Sequence, residues 1–451
     1  MPSSTEPSPT VLPDSFDRDL VGSVVSVPTT TTESNGVSVN QQAGLEGSAR
    51  LSTFASLRYP GAARYFAGLT LSMVGSWMQS IALSWLVVQK LNGDGGALGL
   101  VNAFQFAPML FLGAWAGALS DRYDKRRLMT VTQILLGFSA VVLGILDLSG
   151  HITMPIVFLL AALIGTASAF DTPVRRAMVG DLVPKHVIPN AMALNTGVIT
   201  SSRVFGMMVG GFLVKYAGTG WCFIVNGISY GFMLLALTGL GALPHKTAPP
   251  QTDGGVTDAV RHIWRTPILR VAMISTSIVS VLTFNYAVTY TLMVDKIFKR
   301  DSDVLGWLLA ASSVGSFAGS IFAARRREPS VDVLMASCIG MGITCFGFGY
   351  SANPFVAAAF SVPLGLFGGL VMTQLSGLLP KYSPSSMRGR VLALQSVVFI
   401  GSTPIGGLLV GITSEELGAR WGMYIGGIGG LLGGAVGMAL RQSTRLRPSV
   451  S

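Results

Sequence analysis

Residues 182–214 read LVPKHVIPNAMALNTGVITSSRVFGMMVGGFLV, and residues 378–410 read LLPKYSPSSMRGRVLALQSVVFIGSTPIGGLLV. At a fixed offset of 196, without a gap, LVPK falls on LLPK and GGFLV falls on GGLLV. A second match, at an offset of 202, lays GAWAG (113–117) on GSFAG (315–319). Each match is weak alone. Both set an apolar segment of the first half of the chain on the segment six places later in the second. A parallel repeat of this kind builds one protein from two like halves.

The surrounding composition gives those segments their setting. Half of the 451 residues are apolar, 12% are charged, and the mean hydropathy is +0.57. A soluble chain of this size carries about 25% charged residues. The net charge of +10 raises nucleic acid as a partner, but the basic residues sit in short clusters between apolar runs, so none is expected. Cys222, Cys338 and Cys345 lie inside apolar segments at no metal-site spacing and read as small buried hydrophobes. Residues 1–63 are rich in Ser, Thr and Pro and lack a basic-then-apolar leader. They read as a disordered cytoplasmic tail.

Twelve stretches approach the roughly 20 apolar residues that a spanning helix needs. They are about 65–89, 97–120, 128–149, 153–171, 190–214, 221–243, 268–293, 304–324, 331–350, 354–379, 389–413 and 420–440. The expected fold is an all-α polytopic membrane protein of 12 transmembrane helices in two six-helix pseudo-repeats. The halves are 64–243 and 268–440, with a cytoplasmic linker at 244–267 and a cytoplasmic tail at 441–451. Lys and Arg number 23 on the side of the termini and 6 on the other, with Arg64 and Arg203 inside spans. This bias places both termini in the cytoplasm of a cell (inner) membrane. Trp221, Trp307 and Trp421 each stand at the outer start of a span, as interfacial aromatics should.

Span two leaves the membrane as GALSDRYDKRRLM, residues 117–129. The stretch resembles the G-x-x-x-D-R-x-x-[RK]-R loop of the major facilitator superfamily. FAGLTLSMVGSWMQSIALSWLV, AFDTPVRRAMVGDLVPKHVIPNAMALN and WCFIVNGISYGFML resemble exporters related to the enterobactin and macrolide efflux proteins. The resemblance covers residues 60–440. It implies the major facilitator fold and a cytoplasmic gate in which Asp121 is the latch, Arg122 and Arg126 are its network, and Gly117 allows close approach. The copy after span eight, FAARRREPS, has Ala323 in place of the Asp, and Asp124 stands where the family often has glycine.

Arg203 is the conspicuous charge, lying mid-way along span five. A guanidinium stays protonated, so something must pair or solvate it. RVFGMMVGG resembles the family's R-x-x-G-P-x-x-G stretch, with Met207 where proline is usual. That resemblance implies a helix-packing seal at Gly206, Gly210 and Gly211. Either Arg203 ties neighbouring helices together, or it faces the cavity and meets an anionic group. Phe399 stands at its repeat position, so the repeat does not require the charge.

Spans one and seven are repeat equivalents that face the cavity in this fold. Trp77, Ser80 and Ser84 form one polar face. Thr276, Ser280, Thr283, Tyr286 and Tyr290 form another if span seven is one continuous helix. Gln79, Asn195, Asn285 and Gln374 add amides, and such groups serve equally in interhelical hydrogen bonds. Asp171 is a candidate for proton coupling, or else a cap of span four beside Arg175 and Arg176.

The function expected from these readings is secondary active export of small amphipathic molecules (a siderophore, drug or metabolite) by alternating access. No cofactor is expected beyond the proton gradient as energy source. The alternatives are an importer, or a non-transporting receptor or scaffold on the same fold. No phosphate-binding G-x-x-x-x-G-K-[ST] supports an ATP-driven pump, and no clustered His, Asp or Ser at membrane depth supports an enzyme. The partners expected are a small-molecule substrate and the lipid bilayer, with the chain a monomer.

Overall fold

The computed structural model describes residues 54–240, 256–326, 328–385 and 387–445. Twelve helices among them are long and apolar enough to cross a bilayer. In order they are Pro60–Lys90, Gly95–Gly113, Lys125–Leu148, Met154–Asp181, Lys185–Ala217, Thr219–Thr238, Pro267–Phe298, Ser302–Ala324, Val331–Tyr350, Pro354–Lys381, Arg388–Glu416 and Arg420–Gln442. They are called spans one to twelve below. Span two continues as a helix to Arg122.

Local chemistry starts and stops these helices. Proline stands in the first turn of spans one, four, five, seven and ten, where its missing N–H costs nothing. Asp94 caps span two by accepting the Ala97 N–H at 2.6 Å, and Asn353 caps span ten through the Phe355 N–H at 2.8 Å. Asp124, where the family often carries glycine, accepts the Arg127 N–H at 3.0 Å and caps span three. Gly218 and Gly418 take positive φ, 90° and 104°, in the short turns after spans five and eleven.

The packing repeats the sequence repeat. In the first half span one packs on five and six, span two on four, and span three on four and six. In the second half span seven packs on eleven and twelve, span eight on ten, and span nine on ten and twelve. The halves join chiefly through span two with eleven and span five with eight, with smaller contacts of span seven on one and two and of span eight on one. Gly430 of span twelve sits over Gly342 of span nine, where a β-carbon would lie 2.6 Å from the Gly342 Cα. The Gly426, Gly430, Gly434 series is thus a close-packing seam.

Three features depart from the sequence reading. Span four does not end near residue 171 but runs to Asp181, so Arg175 and Arg176 belong to a helix rather than a loop. Taking both out of the tail-side count leaves 21 basic residues against 6. Span seven is broken: a helix over Pro267–Leu282 gives way at Thr283–Asn285 to a second over Tyr286–Leu292. The linker holds an amphipathic helix, Val256–Arg265, whose Ala259 and Ile263 are buried against the second half. Residues 1–53 of the expected tail and 241–255 lie outside the described residues, but the last part of the tail is ordered rather than disordered: Ala55–Arg58 form a short helix and span one starts at Pro60.

Candidate functional site

The two halves meet at the end of the bundle opposite the chain termini, and they meet through glycine. A β-carbon on Gly99 would lie 2.6 Å from the Gly407 carbonyl oxygen, and one on Gly211 would lie 2.6 Å from that of Ser302. Gly306 faces Gly211 in turn, with a would-be β-carbon 2.9 Å from the Gly211 Cα. These are backbone-to-backbone approaches that no side chain fits. The repeated Gly-Gly pair divides the work. Gly210 packs within its half on Met78 of span one, and Gly406 packs within its half on the broken stretch of span seven. Gly211 and Gly407 pack across to the other half. Gly206 sits on span one, where its β-carbon would lie 2.8 Å from that of Trp77.

Polar contacts clasp the same end. Lys215 of span five reaches Asp303 at 3.0 Å and Asp301 at 3.3 Å, both at the start of span eight. The Ser302 hydroxyl donates to the Gly211 carbonyl at 2.9 Å. The Gly95 N–H donates to Glu415 at 3.2 Å, and the Gln89 amide donates to Asp295. Each contact crosses between halves.

At the end where span one begins, the glycine contacts between the halves stop among the described residues. Gly113, Gly180, Gly197 and Gly389, on spans two, four, five and eleven, have nothing within 4 Å of a would-be β-carbon. The polar ties described there include two within single halves. Lys125 pairs with Asp181 at 2.5 Å, and Lys381 with Glu328 at 2.6 Å. Arg126, with Arg64, caps the C-terminus of span six: Arg126 donates to the Leu240 and Thr238 carbonyls, and Arg64 to that of Gly239. The side chains of Gly117, Asp121 and Arg122 lie outside those described.

Arg203, Met207 and Gly211 follow one another at i, i+4 and i+8, so they share the helix face that meets span eight. The Gly211 backbone touches span eight, the Met207 sulfur accepts from Ser313 at 3.7 Å, and Arg203 is the next turn down. Its guanidinium carbon lies 5.9 Å from the centre of the Trp77 ring. A cation over tryptophan gains about 0.5–2 kcal/mol, well short of what a desolvated charge costs. Among the described residues Arg203 has no ion-pair partner, and its Nε is buried without an acceptor. The Tyr286 hydroxyl, in the other half, is also buried without a hydrogen-bond partner, 3.4 Å from where a β-carbon on Gly368 would lie.

The repeat positions make the asymmetry plain. Near the sealed end like features recur at an offset of 207: Gly99 and Gly306 each pack on backbone of the other half, and the π-helical turn that begins at Leu86 matches the one that begins at Met293. The same offset matches Trp77 with Phe284. Phe399, the counterpart of Arg203, packs edge-on against Phe284 at 5.2 Å. One half thus sets a cation on a ring, and the other sets a ring on a ring. Phe284 was missed from sequence because the break in span seven shifts the register between repeats.

The remaining candidates are distributed differently from the single cavity face expected. The break turns Thr283 toward span twelve, where its hydroxyl donates to the Gly426 carbonyl at 2.9 Å. The Asn285 amide donates to the Val281 carbonyl at 2.7 Å, replacing a backbone donor lost at the break. Tyr290 is fully buried, 4.6 Å from Phe348 and 3.4 Å from the Ser361 hydroxyl. Thr276 and Ser280 are buried as well, which leaves Tyr286 as the half-buried member of the stripe. Gln79 accepts from the Asn226 amide at 2.6 Å within the first half. Gln374 accepts the Ser330 N–H at 2.7 Å.

Asp171 is not a helix cap. It lies ten residues before the last residue of span four, about 15 Å along the axis. It is buried, 3.4 Å from Arg175, and accepts from Gln133 at 2.7 Å and Thr132 at 3.1 Å.

The chain matches the transmembrane secretion effector family over residues 51–447 and belongs to it. It is therefore a major facilitator superfamily transporter and a multi-pass membrane protein, not an enzyme. It is similar to the staphyloferrin A transporter of Staphylococcus aureus, 24% identical over 78% of this chain and 89% of that one. It is also similar to the multidrug efflux pump Tap of Mycolicibacterium fortuitum, 24% identical over 78% of this chain and 88% of the pump. Among solved structures it shares the fold of a bacterial homologue of the human lysosomal transporter Spinster. That likeness has a TM-score of 0.70 at 14% identity, covering 87% of this chain and 99% of that one. A D-xylose–proton symporter has a TM-score of 0.68 at 15% identity, with 84% and 97% covered.

Proposed function

We propose that this chain is a secondary active exporter of small amphipathic molecules, driven by the proton gradient, with both termini in the cytoplasm. The observation that carries the reading is the uneven contact between halves: glycine-sealed at one end, with no such contact among the described residues at the other. Such a state is one of the two that alternating access needs. The basic excess beside the termini supports a cytoplasmic opening. Similarity to a staphyloferrin A transporter and to a multidrug efflux pump supports export of siderophores, drugs or metabolites.

In this reading Asp171 couples transport to protons. A buried carboxylate held by one arginine and two neutral donors releases that arginine when protonated. Gly117, Asp121, Arg122 and Arg126 form the gate that closes the cytoplasmic end in the opposite state, and the chain works as a monomer. The test is efflux from cells loaded with labelled anionic chelators and cationic drugs, with and without a protonophore. Protonophore-sensitive efflux of either set is expected; accumulation instead of efflux would make the protein an importer, and neither would make it a scaffold.

A further inference from the structure

We propose that a cleft between the linker helix, span seven and span eleven holds one anionic phospholipid of the adjoining leaflet. The lipid phosphate lies at Arg270, and an acyl chain runs inward over Ile274, Leu394 and Val398. This site is independent of what the protein exports.

Three elements assemble the cleft. Val260 and Trp264 of the linker helix form one wall, Arg270, Ile274 and Ser277 of span seven a second, and Leu394 and Val398 of span eleven a third. Each wall is a single helical stripe, with its residues at i, i+4 or i, i+4, i+7. The enclosed volume is about 190 Å³, and its lining is almost wholly apolar.

Depth orients the occupant. Spans alternate in direction, so seven and eleven start on the same side, at Pro267 and Arg388. Arg270 stands in the first turn of span seven, and Ser277 lies about 10 Å deeper. Leu394 and Val398 lie about 9 and 15 Å along span eleven. The cleft thus has a cation at its mouth and apolar walls below, which suits an amphiphile with a negative head.

The linker helix faces the bilayer beside the cleft. Ala259 and Ile263 are its protein-facing residues. Val260 and Trp264, 38% and 57% exposed, form a second apolar face that no described residue covers. Arg261 and Arg265 are exposed on the adjoining face, and Asp258, the one acidic residue of this helix, pairs with Arg261 at 3.7 Å. A short helix with an apolar face, a tryptophan and flanking arginines lies in the membrane interface.

The cation is particular to this half. Span one also follows a short helix, Ala55–Arg58, and Pro60 and Pro267 open the two spans alike. At that offset of 207 Leu57 matches Trp264, but Ala63 matches Arg270. The fold does not require the charge. Among the described residues the Arg270 guanidinium reaches the Trp264 carbonyl, at the long distance of 3.5 Å, and its Nε has no acceptor. A phosphate supplies the paired acceptors that a guanidinium takes, and basic pockets between spans bind anionic headgroups.

The test is native mass spectrometry of the full-length protein in detergent, titrated with dioleoyl phosphatidylglycerol or dioleoyl phosphatidylcholine. One saturable site is expected, with phosphatidylglycerol bound about fivefold more tightly, the contribution of one basic residue beside an anionic headgroup. Arg270→Gln should bring that ratio near one, Arg270→Lys should keep most of it, and Arg261→Gln should leave it unchanged. Ser277→Trp, which fills the cleft, should lower the occupancy of both lipids. A wild-type protein without the preference overturns the proposal, whether or not a variant folds. So does an Arg270→Gln protein that keeps it. An Arg270→Lys protein that loses it as fully as Arg270→Gln would assign Arg270 to the linker-helix carbonyl alone. Glycerol phosphate displacing the lipid at equal concentration would make the site one for free phosphate, and binding seen only after deletion of residues 245–253 would give the cleft to the linker; either result overturns the lipid assignment.

Discussion

At the scale of single residues, depth in the membrane separates two charges with different roles. Asp171 pairs with Arg175, and Gln133 and Thr132 complete the carboxylate shell. Removing one member of such a pair strands the other, at a cost of the order of 3 kcal/mol. Asp171→Asn should therefore lower the unfolding temperature in detergent, and adding Arg175→Gln should restore most of it. If Asp171 couples protons, the double variant should still exchange substrate in counterflow yet lose gradient-driven efflux. Retention of gradient-driven efflux would assign the pair to folding alone. Arg203 has no partner whose removal could be matched in this way, and its substitution is predicted to change ligand preference before stability.

At the scale of elements, the seal depends on the absence of side chains. Gly211→Val puts methyl groups into the Ser302 carbonyl and the Gly306 backbone, neither of which can rotate away. Overpacking of this kind costs about 1–3 kcal/mol. The variant is expected to open at the sealed end, so that a cysteine placed at Ser313 reacts with an impermeant maleimide added outside. Unchanged protection of that cysteine would show that spans five and eight do not form the seal. The Lys215 clasp is weaker, because water screens an exposed pair. Lys215→Glu should shift the same labelling only about two- to fivefold. Asp303→Lys in the same chain should reverse it.

At the scale of the molecule, orientation follows from where the basic residues lie. A cysteine at Asn92, in the turn between spans one and two, should label from outside intact cells. One at Ser385, between spans ten and eleven, should label only after permeabilisation. The opposite pattern would invert the topology and with it the direction of transport. Deleting residues 1–50 is expected to leave transport unchanged, and a well-inserted but inactive truncation would give the tail a function.

Span count, the repeat and the buried fate of the three cysteines were legible in the sequence, because each follows from local hydropathy or from spacing along the chain. Arg203 was conspicuous for the same reason, as a charge in an apolar run. What the sequence could not carry is anything that depends on which helix faces which. The polar residues of span seven have the spacing of one helical face, but the chain breaks at Thr283–Asn285, where Asn285 supplies a side-chain donor and Gly406 admits the bent backbone. The break turns Thr283 and Tyr290 into the second half and leaves Tyr286 half-buried between Phe284 and Tyr290. The length of span four was likewise hidden, since Asp171, Arg175 and Arg176 look like a helix end until burial pairs the first two. By itself the sequence determined a twelve-span, two-fold-repeated membrane protein, because hydropathy and repetition are properties of the chain. Only the tertiary structure decided which end is sealed and which charge is left without a partner, because both depend on contacts between helices far apart in sequence.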